Sequence, residues 1–326
     1  MDNDAKIRPL YIGKILTELT DEDHYLTTAQ IMKILEEQYG IKSHRQTIKA
    51  DIELLQRFGM DIQEIKSTQN RYNLISRQFD VAEIKLLIDA VESSKFITVK
   101  KSAELVDKLS SLAGEHKSSE LRRNLMAEGK IKPGNEKIYI IVDTINDAIN
   151  QKKKISFQYF QYNVRKKQQL KRNGEPFVFT PLHLVWNGDY YYVIGVFDYQ
   201  QRIGNFRVDR IACCPKILDE PAVEAPKGFD INKYLNTTFR MYNSEHCDVE
   251  LVCDNSVMDS IIDRFGKDVT TYANDMTSFR VIVNVATSHV FYSWVFGFGG
   301  LVKIKAPQEV KDKYEEMLKA SLENLN

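Results

Sequence analysis

Between residues 26 and 75 the apolar side chains fall first at helical and then at alternating intervals. Ile31, Ile34 and Leu35 form one helical face, with Thr27 or Thr28 placed to cap its start and Gly40 its end. A short turn follows. Ser43 is placed to cap a second helix over 44–58, in which Ile48, Ile52 and Leu55 recur at i, i+4 and i+7 before Gly59 closes it. Residues 60–75 then alternate as two strands around the polar tip 67–70. Helix, glycine-containing turn, helix and hairpin is the order of a winged helix-turn-helix, whose second helix enters the major groove of duplex DNA.

Downstream the period shifts. Val81, Ile84, Leu87, Ile88 and Val91, then Leu105, Leu109 and Leu112, recur at three- and four-residue steps, which predicts a helical connector suited to dimerisation. The polar stretch 114–136, with Gly129 and Pro133-Gly134, reads as an exposed linker. After a helix over 139–150, short aromatic and β-branched runs at 155–162, 177–185, 190–197, 205–211 and 214–218 imply a small barrel. Asn187-Gly188 marks one of its hairpins. From 248 onward strand 249–253, helix 257–265, strands 269–273 and 278–285, helix 288–296 and strand 301–305 give a βαββαβ order with a last helix after Pro307. That order is ferredoxin-like. The expected fold class is therefore multidomain α+β: a winged helix-turn-helix over 1–77, a helical dimerisation connector and linker over 78–136, a small Sm/SH3-like β-barrel over 137–222, and a ferredoxin-like, dimerising domain over 223–326.

Length agrees with this division, since 326 residues exceed what one growing core accommodates. No stretch approaches the roughly 20 uncharged apolar residues that span a bilayer. The acidic start Met1-Asp2-Asn3-Asp4 lacks the basic end and apolar run of a signal peptide, which points to the cytoplasm. Cys213-Cys214 and the pair Cys247 and Cys253 fit no CxxC pattern and read as reduced thiols, so no metal site or cofactor is expected. A net charge of zero removes the simplest argument for a polyanionic partner, but the distribution restores it. Over 42–77 seven basic residues face four acidic ones, and over 130–172 eleven face three. Basic charge concentrated in two places suits a protein that meets polyanions at defined sites.

The exposed first turns of the second helix carry Ser43, His44, Arg45, Gln46, Thr47 and Lys49, and the wing carries Lys66, Asn70 and Arg71. Arg and Lys reach guanine edges or phosphates, Gln pairs with adenine, and Ser, Thr and Asn hold phosphate oxygens. An exposed charged helix face alone is ordinary. Its coincidence with turn, caps, wing and charge reversal makes Arg45, Gln46 and Lys49 the strongest candidates.

The stretch Pro181-Leu-His-Leu-Val-Trp-Asn-Gly-Asp-Tyr-Tyr-Tyr-Val-Ile-Gly195 and the segment Asn205-Phe-Arg-Val-Asp-Arg-Ile211 resemble the WYL family of bacterial regulators. Ile155-Ser-Phe-Gln-Tyr159 resembles that family's opening strand, and Arg264-Phe265-Gly266 its C-terminal extension. In place of the eponymous Trp-Tyr-Leu the chain has Tyr191-Tyr192-Val193 or, in the other register, Tyr190-Tyr191-Tyr192. The resemblance covers most of the chain and implies a barrel that senses nucleotides or nucleic acid and transmits occupancy to the DNA-binding module. With Phe206 and Val208 pointing inward, alternation is expected to place Arg207 and Arg202 on the other face, with Arg210 near the strand's end. Those arginines, with Tyr159, His183, Tyr191 and Tyr192, are the candidate ligand residues, because they pair bidentate phosphate contacts with stacking surfaces. The competing reading for Arg207 and Arg210 is a salt bridge to Asp209 or Asp198, and at least one of the three tyrosines is expected in the core. Trp186 is expected to pack.

These features point to a homodimeric, DNA-binding transcription regulator, a repressor altered by ligand, that reads a near-palindromic operator. The second reading is an RNA- or single-strand-binding accessory protein acting through the barrel. An enzyme is not expected, for the sequence has no phosphate-binding Gly-rich loop, HExxH or GxSxG, and its six histidines are scattered.

Overall fold

In a computed structural model the described residues are 2–123, 132, 136–197, 202–242 and 244–325. They form two compact units, Met1–Glu136 and Lys137–Asn326. The first begins with helix α1 (Asp2–Leu19), strand β1 (Leu26–Thr27), helices α2 (Thr28–Tyr39) and α3 (Arg45–Phe58), and strands β2 (Ile62–Ile65) and β3 (Arg71–Leu74). Thr27 starts α2 through a reciprocal cap: its hydroxyl accepts the Gln30 N–H at 3.2 Å, while Gln30 Oε1 accepts the Thr27 N–H at 2.8 Å. Gly40 and Gly59 end α2 and α3 in the left-handed conformation, at φ 70° and 108°. Antiparallel strands in the order β1-β3-β2 complete the hairpin side.

Ile31, Leu35, Ile48, Ile52 and Leu55 meet Ile62, Tyr72 and Leu74 in one core, as the helical and alternating patterns require. Helix α1, which the sequence pattern did not single out, supplies Ile12, Ile15 and Leu16 to the same cluster. It is pinned to α3 by Arg8, whose Nε donates to Asp51 Oδ2 at 2.5 Å, both side chains being nearly buried. Asp51→Ala leaves that guanidinium without its acceptor and is expected to destabilise this unit by about 2–3 kcal/mol, read as a lower urea midpoint.

Helices α4 (Val81–Ser93), α5 (Val99–Ser111) and α6 (Glu115–Arg123) follow. Two expectations are corrected here. Val81, Leu87 and Leu112 are 39%, 40% and 45% exposed, because the buried stripe of α4 runs through Ile84 and Ile88 and that of α5 through Ser102, Val106 and Ser110. Small serines in that stripe admit Lys132, whose amine donates to Ser102 Oγ at 2.6 Å and to the carbonyls of Val91 and Ser94. The linker expected from 114 is helical as far as Arg123, since Leu121 buries itself against Ile84, Ile88 and Val106. Residues 124–131 and 133–135 of that expected linker lie outside the described residues.

The second unit opens with α7 (Ile138–Asn150) and continues with β4 (Lys153–Phe157), β5 (Phe160–Tyr162), β6 (Gln168–Leu170), β7 (Phe177–Asn187), β8 (Tyr190–Phe197), β9 (Arg202–Arg207) and β10 (Lys216–Pro221). Five of these strands form an antiparallel sheet in the order β10-β4-β7-β8-β9. Beyond β4 and β9 the chain bridges Tyr159 to Ile211, so the sheet curls until two strands separated by β7 and β8 meet at their ends. Phe206 fills the interior, edge-on to Phe157, Phe177, Phe179 and Phe197 at centroid distances of 4.9, 5.0, 5.2 and 5.3 Å. The single strand expected over 155–162 breaks at Gln158, because Phe157 and Phe160 are both buried and an odd spacing cannot put both on one face of a regular strand. The chain leaves as a separate ribbon, β5 paired with β6.

Helix α8 (Ile231–Thr237) leads to β11 (His246–Asp254), α9 (Met258–Phe265), β12 (Thr271–Ala273), β13 (Ser278–Ala286), α10 (His289–Phe296), β14 (Val302–Ala306) and α11 (Gln308–Glu323). Its four strands are all antiparallel in the order β12-β13-β11-β14, the ferredoxin-like arrangement. Phe291, Trp294 and Phe298 belong to its core cluster, with Phe291 fully buried, while Phe296 is 61% exposed. Among the described residues no helix is long and apolar enough to cross a membrane.

Candidate functional site

In the first unit a groove of about 230 Å³ runs between the start of α2, the start of α3 and the wing tip. Arg45, Gln46 and Lys49 line one side, and Thr68, Gln69 and Asn70 the other, with Thr28 and Ala29 between them. The three α3 side chains are exposed and occupy the helix's N-terminal turns, where the unpaired backbone N–H groups add positive potential for an anion. Lys49 leans on Glu53 at 4.0 Å across a solvated i,i+4 pair that leaves it displaceable.

The other candidates are distributed differently. His44, not Ser43, is the N-cap of α3. Ser43 Oγ is buried and has no hydrogen-bond partner among the described residues, which corrects its expected roles as cap and phosphate contact. Thr47 is half-buried and Lys66 exposed, and neither lines the groove. Asn70 lines the groove, but its amide donates to Glu64 Oε1 at 2.7 Å and so braces the wing. Arg71 lies 4.2 Å above the Tyr25 ring. Ala29, Thr68 and Gln69 were not singled out, and Thr28 was marked only as a candidate cap; Thr68 and Gln69 sit in the polar tip the sequence did mark.

In the barrel the expected ligand residues separate into four places. Arg207 grips Asp209 bidentately, Nε to Oδ1 at 3.0 Å and Nη2 to Oδ2 at 2.7 Å, and its guanidinium lies 3.3 Å from the Tyr190 centroid. Burial alone opposes its charge, yet the bonds to Asp209 hold its pKa above the ordinary arginine value. This is the competing salt bridge, so Arg207 positions the strand end; Asp198 lies outside the described residues. Asp209→Ala strands a half-buried guanidinium and is expected to cost the barrel about 2 kcal/mol, read in a denaturant titration. Tyr192 pairs with Arg207 across the strands but is only 7% exposed and packs with Ile194 and Met241, so it is core rather than ligand surface.

Arg202 is five residues from Arg207, an odd spacing that puts it on the opposite face; the expectation that they share one is corrected. It lines a cavity of about 580 Å³ with Phe197, Phe229, Tyr234, Glu245 and His246. His183 and Tyr191 line a third place, a cavity of about 490 Å³ against α7 whose other walls include Tyr139, Asp143, Asn146 and Ile149. No lysine or arginine is among its described lining residues. Trp186 is 48% exposed and donates from Nε1 to the Gly188 carbonyl at 2.9 Å.

The fourth place is both cationic and aromatic. Arg210 lies 5.1 Å from the Tyr162 centroid and 5.9 Å from that of Phe160, and among the described residues it makes no ion pair. Lys171 stands 5.7 Å from the Tyr159 centroid and Arg172 4.2 Å from that of Phe177. Burial pushes the Tyr159 hydroxyl up to about 12, so it stays a neutral phenol, accepting the Arg207 backbone N–H at 3.3 Å. Beside it the turn between β5 and β6 exposes Arg165, Lys166 and Lys167. Exposed Tyr162, half-buried Tyr159 and the cations beside them suit a nucleotide base with its phosphate, while Phe160 and Phe177 are core. Lys171 and Arg172 fell inside the basic region 130–172 that the sequence marked but were not singled out within it, and Phe160 and Tyr162 were read only as parts of one continuous strand.

Comparison with known proteins agrees with the barrel and the last domain. The family model for the WYL domain matches residues 141–214, and that for the WCX domain matches residues 245–322. Among solved structures, the chain is similar to proteasome accessory factor B/C (PafBC) of Arthrobacter aurescens, at 16% identity and a TM-score of 0.29. That match covers 98% of this chain and 46% of the other, so the chain spans about half its length. No curated protein matches. With the Pro-x-His-Leu strand, the Phe-Arg-x-Asp-Arg-Ile ending and both domain matches in place, the chain carries a WYL domain, its barrel, followed by a WCX domain.

Proposed function

We propose that the chain is a sequence-specific, DNA-binding transcription regulator, a repressor that acts as a cytoplasmic homodimer and is altered by an anionic, nucleotide- or nucleic-acid-like effector at its WYL barrel. The observation that carries the DNA half is the groove joining Arg45, Gln46 and Lys49 to the wing tip. A recognition helix entering the major groove by its N-terminal turns presents these three side chains to base edges and lets exposed Lys66 meet the flanking phosphates. The effector half rests on Arg210, Lys171 and the rings of half-buried Tyr159 and exposed Tyr162 beside them. No catalytic role is assigned to any residue in this reading.

The same rings and cations favour a second reading, a single-strand RNA- or DNA-binding protein acting through the barrel. One experiment separates them. Duplexes selected by the full-length protein are tested in mobility shifts with Arg45→Ala/Lys49→Ala and with Lys171→Ala/Arg210→Ala. The regulator reading expects the first variant to lose the duplex and the second to keep it while losing its response to a 5′-phosphorylated oligonucleotide. Tight single-strand binding untouched by Arg45→Ala/Lys49→Ala, with no duplex selected, would establish the second reading.

A further inference from the structure

Cys213 and Cys214 sit between β9 and β10, and both are free and exposed. Adjacent Cα atoms stand about 3.8 Å apart across a trans peptide, whereas a relaxed disulfide separates them by roughly 4.4–6.8 Å. An internal disulfide is therefore strained, and the pair favours the dithiol. A single atom inserted between the sulfurs relieves that strain by replacing one S–S bond with two longer links. Thiolate pairs take soft centres in preference to hard cations.

Cys214 is also tied to the helix packed against β4 and β7. Its sulfur lies 3.2 Å from Thr144 Oγ1 on α7. Thr144 gives its single hydroxyl hydrogen to the Ile140 carbonyl at 2.8 Å, so the thiol of Cys214 is the donor in the contact between them.

We propose that Cys213 and Cys214 form a receptor for a trivalent, thiophilic arsenic centre, and that its capture is felt by α7 through loss of the Cys214–Thr144 hydrogen bond. An organoarsenic(III) oxide reacts with both thiols: two S–H bonds and the As=O bond break, two As–S bonds form, and the two hydrogens leave with the oxygen as water. Nothing is oxidised or reduced. Thr144 Oγ1 loses its donor one residue from Asp143, which lines the 490 Å³ cavity together with Asn146. Arsenic ligation thereby reaches the wall of a barrel cavity through one helix. This inference is independent of the DNA-binding reading.

Full-length protein is treated with phenylarsine oxide, washed with excess 2-mercaptoethanol, and followed by intact mass, thiol titration and hydrogen exchange. The expected result is one phenylarsenic adduct per chain, loss of two titratable thiols, and faster exchange across 138–150. Cys213→Ser and Cys214→Ser each leave a monodentate adduct whose retention falls by about 10²- to 10⁴-fold, the advantage of an intramolecular second bond. Cys247→Ser keeps the full adduct, and Thr144→Val shows the faster exchange without arsenic. A wash-resistant adduct in Cys213→Ser, or a wild-type adduct shed as readily as that of the single-serine variants, would overturn the receptor. Unchanged exchange on binding would overturn the link to α7.

Discussion

Gly195→Ala is expected to prevent the WYL barrel from closing, the largest stability loss of a methyl added at any of the described glycines. Gly195 and Gly204 face each other across β8 and β9. A Cβ on Gly195 would stand 2.0 Å from the Thr180 carbonyl oxygen and 2.7 Å from Phe179 Cε1. The first is backbone of the paired strand β7 and cannot swing away, while Phe179 is fully buried and held by Phe157, Phe197 and Phe206. Relief requires β7 and β8 to part, so the loss is expected to reach or exceed the upper end of ordinary overpacking, about 3 kcal/mol. For Gly204→Ala the nearest atoms all belong to the Phe197 ring, the first at 2.0 Å, and the change is expected to be milder because a side-chain ring at the end of its strand can shift where backbone cannot. Urea titration followed by near-UV circular dichroism of the barrel aromatics measures both. Equal midpoints for Gly195→Ala and the wild type would refute the packing argument.

Arg45→Ala is expected to weaken the selected duplex by about 1–3 kcal/mol, roughly fivefold to 150-fold, and to relax preference at the base it reads. Lys66→Ala, at an exposed position on the wing, is expected to weaken all duplexes about equally and to flatten the salt dependence. The contrast matters more than either loss. A base-reading residue changes the ranking of sequences, whereas a phosphate contact changes only the strength. Competition binding against operator variants at one fixed salt concentration distinguishes them; parallel losses for both substitutions would remove Arg45 from base readout.

What the sequence disclosed follows from which forces are local. The caps at Thr27, Gly40 and Gly59 and the stripe Ile48, Ile52 and Leu55 depend on residues a turn apart, so the helices and wing were legible from spacing. Ser43 misled because a serine before a helix is the commonest cap, and only the path of the turn placed His44 there and buried the hydroxyl. The connector's phase was misread where Ser102 and Ser110 occupy buried positions, since hydropathy alone cannot foresee a lysine arriving from thirty residues away to bond one of them. In the barrel, Arg207 and Tyr192 are neighbours as strand pairing implies, but the partner that decides the arginine's role, Asp209, lies past the strand's end, in a 3-10 turn. The Lys171 to Tyr159 and Arg210 to Tyr162 pairs join segments separated in sequence, so no window along the chain contains that surface.

The central claim is that residues 26–75 read duplex DNA although the whole chain carries no net charge. Its most direct measurement is the affinity of full-length protein for its selected duplex as salt rises from roughly 50 to 200 mM. Log affinity is expected to fall linearly with log salt, by about 0.9 for each phosphate neutralised, with Lys66→Ala reducing that slope by about one per protomer. Arg45→Ala is expected to narrow the preference for the selected sequence over an unrelated one by about 1–3 kcal/mol, and loss of Arg45, Gln46 and Lys49 together to abolish it. Affinity indifferent to salt, or a sequence preference that survives the loss of Arg45, Gln46 and Lys49 together, would contradict the account.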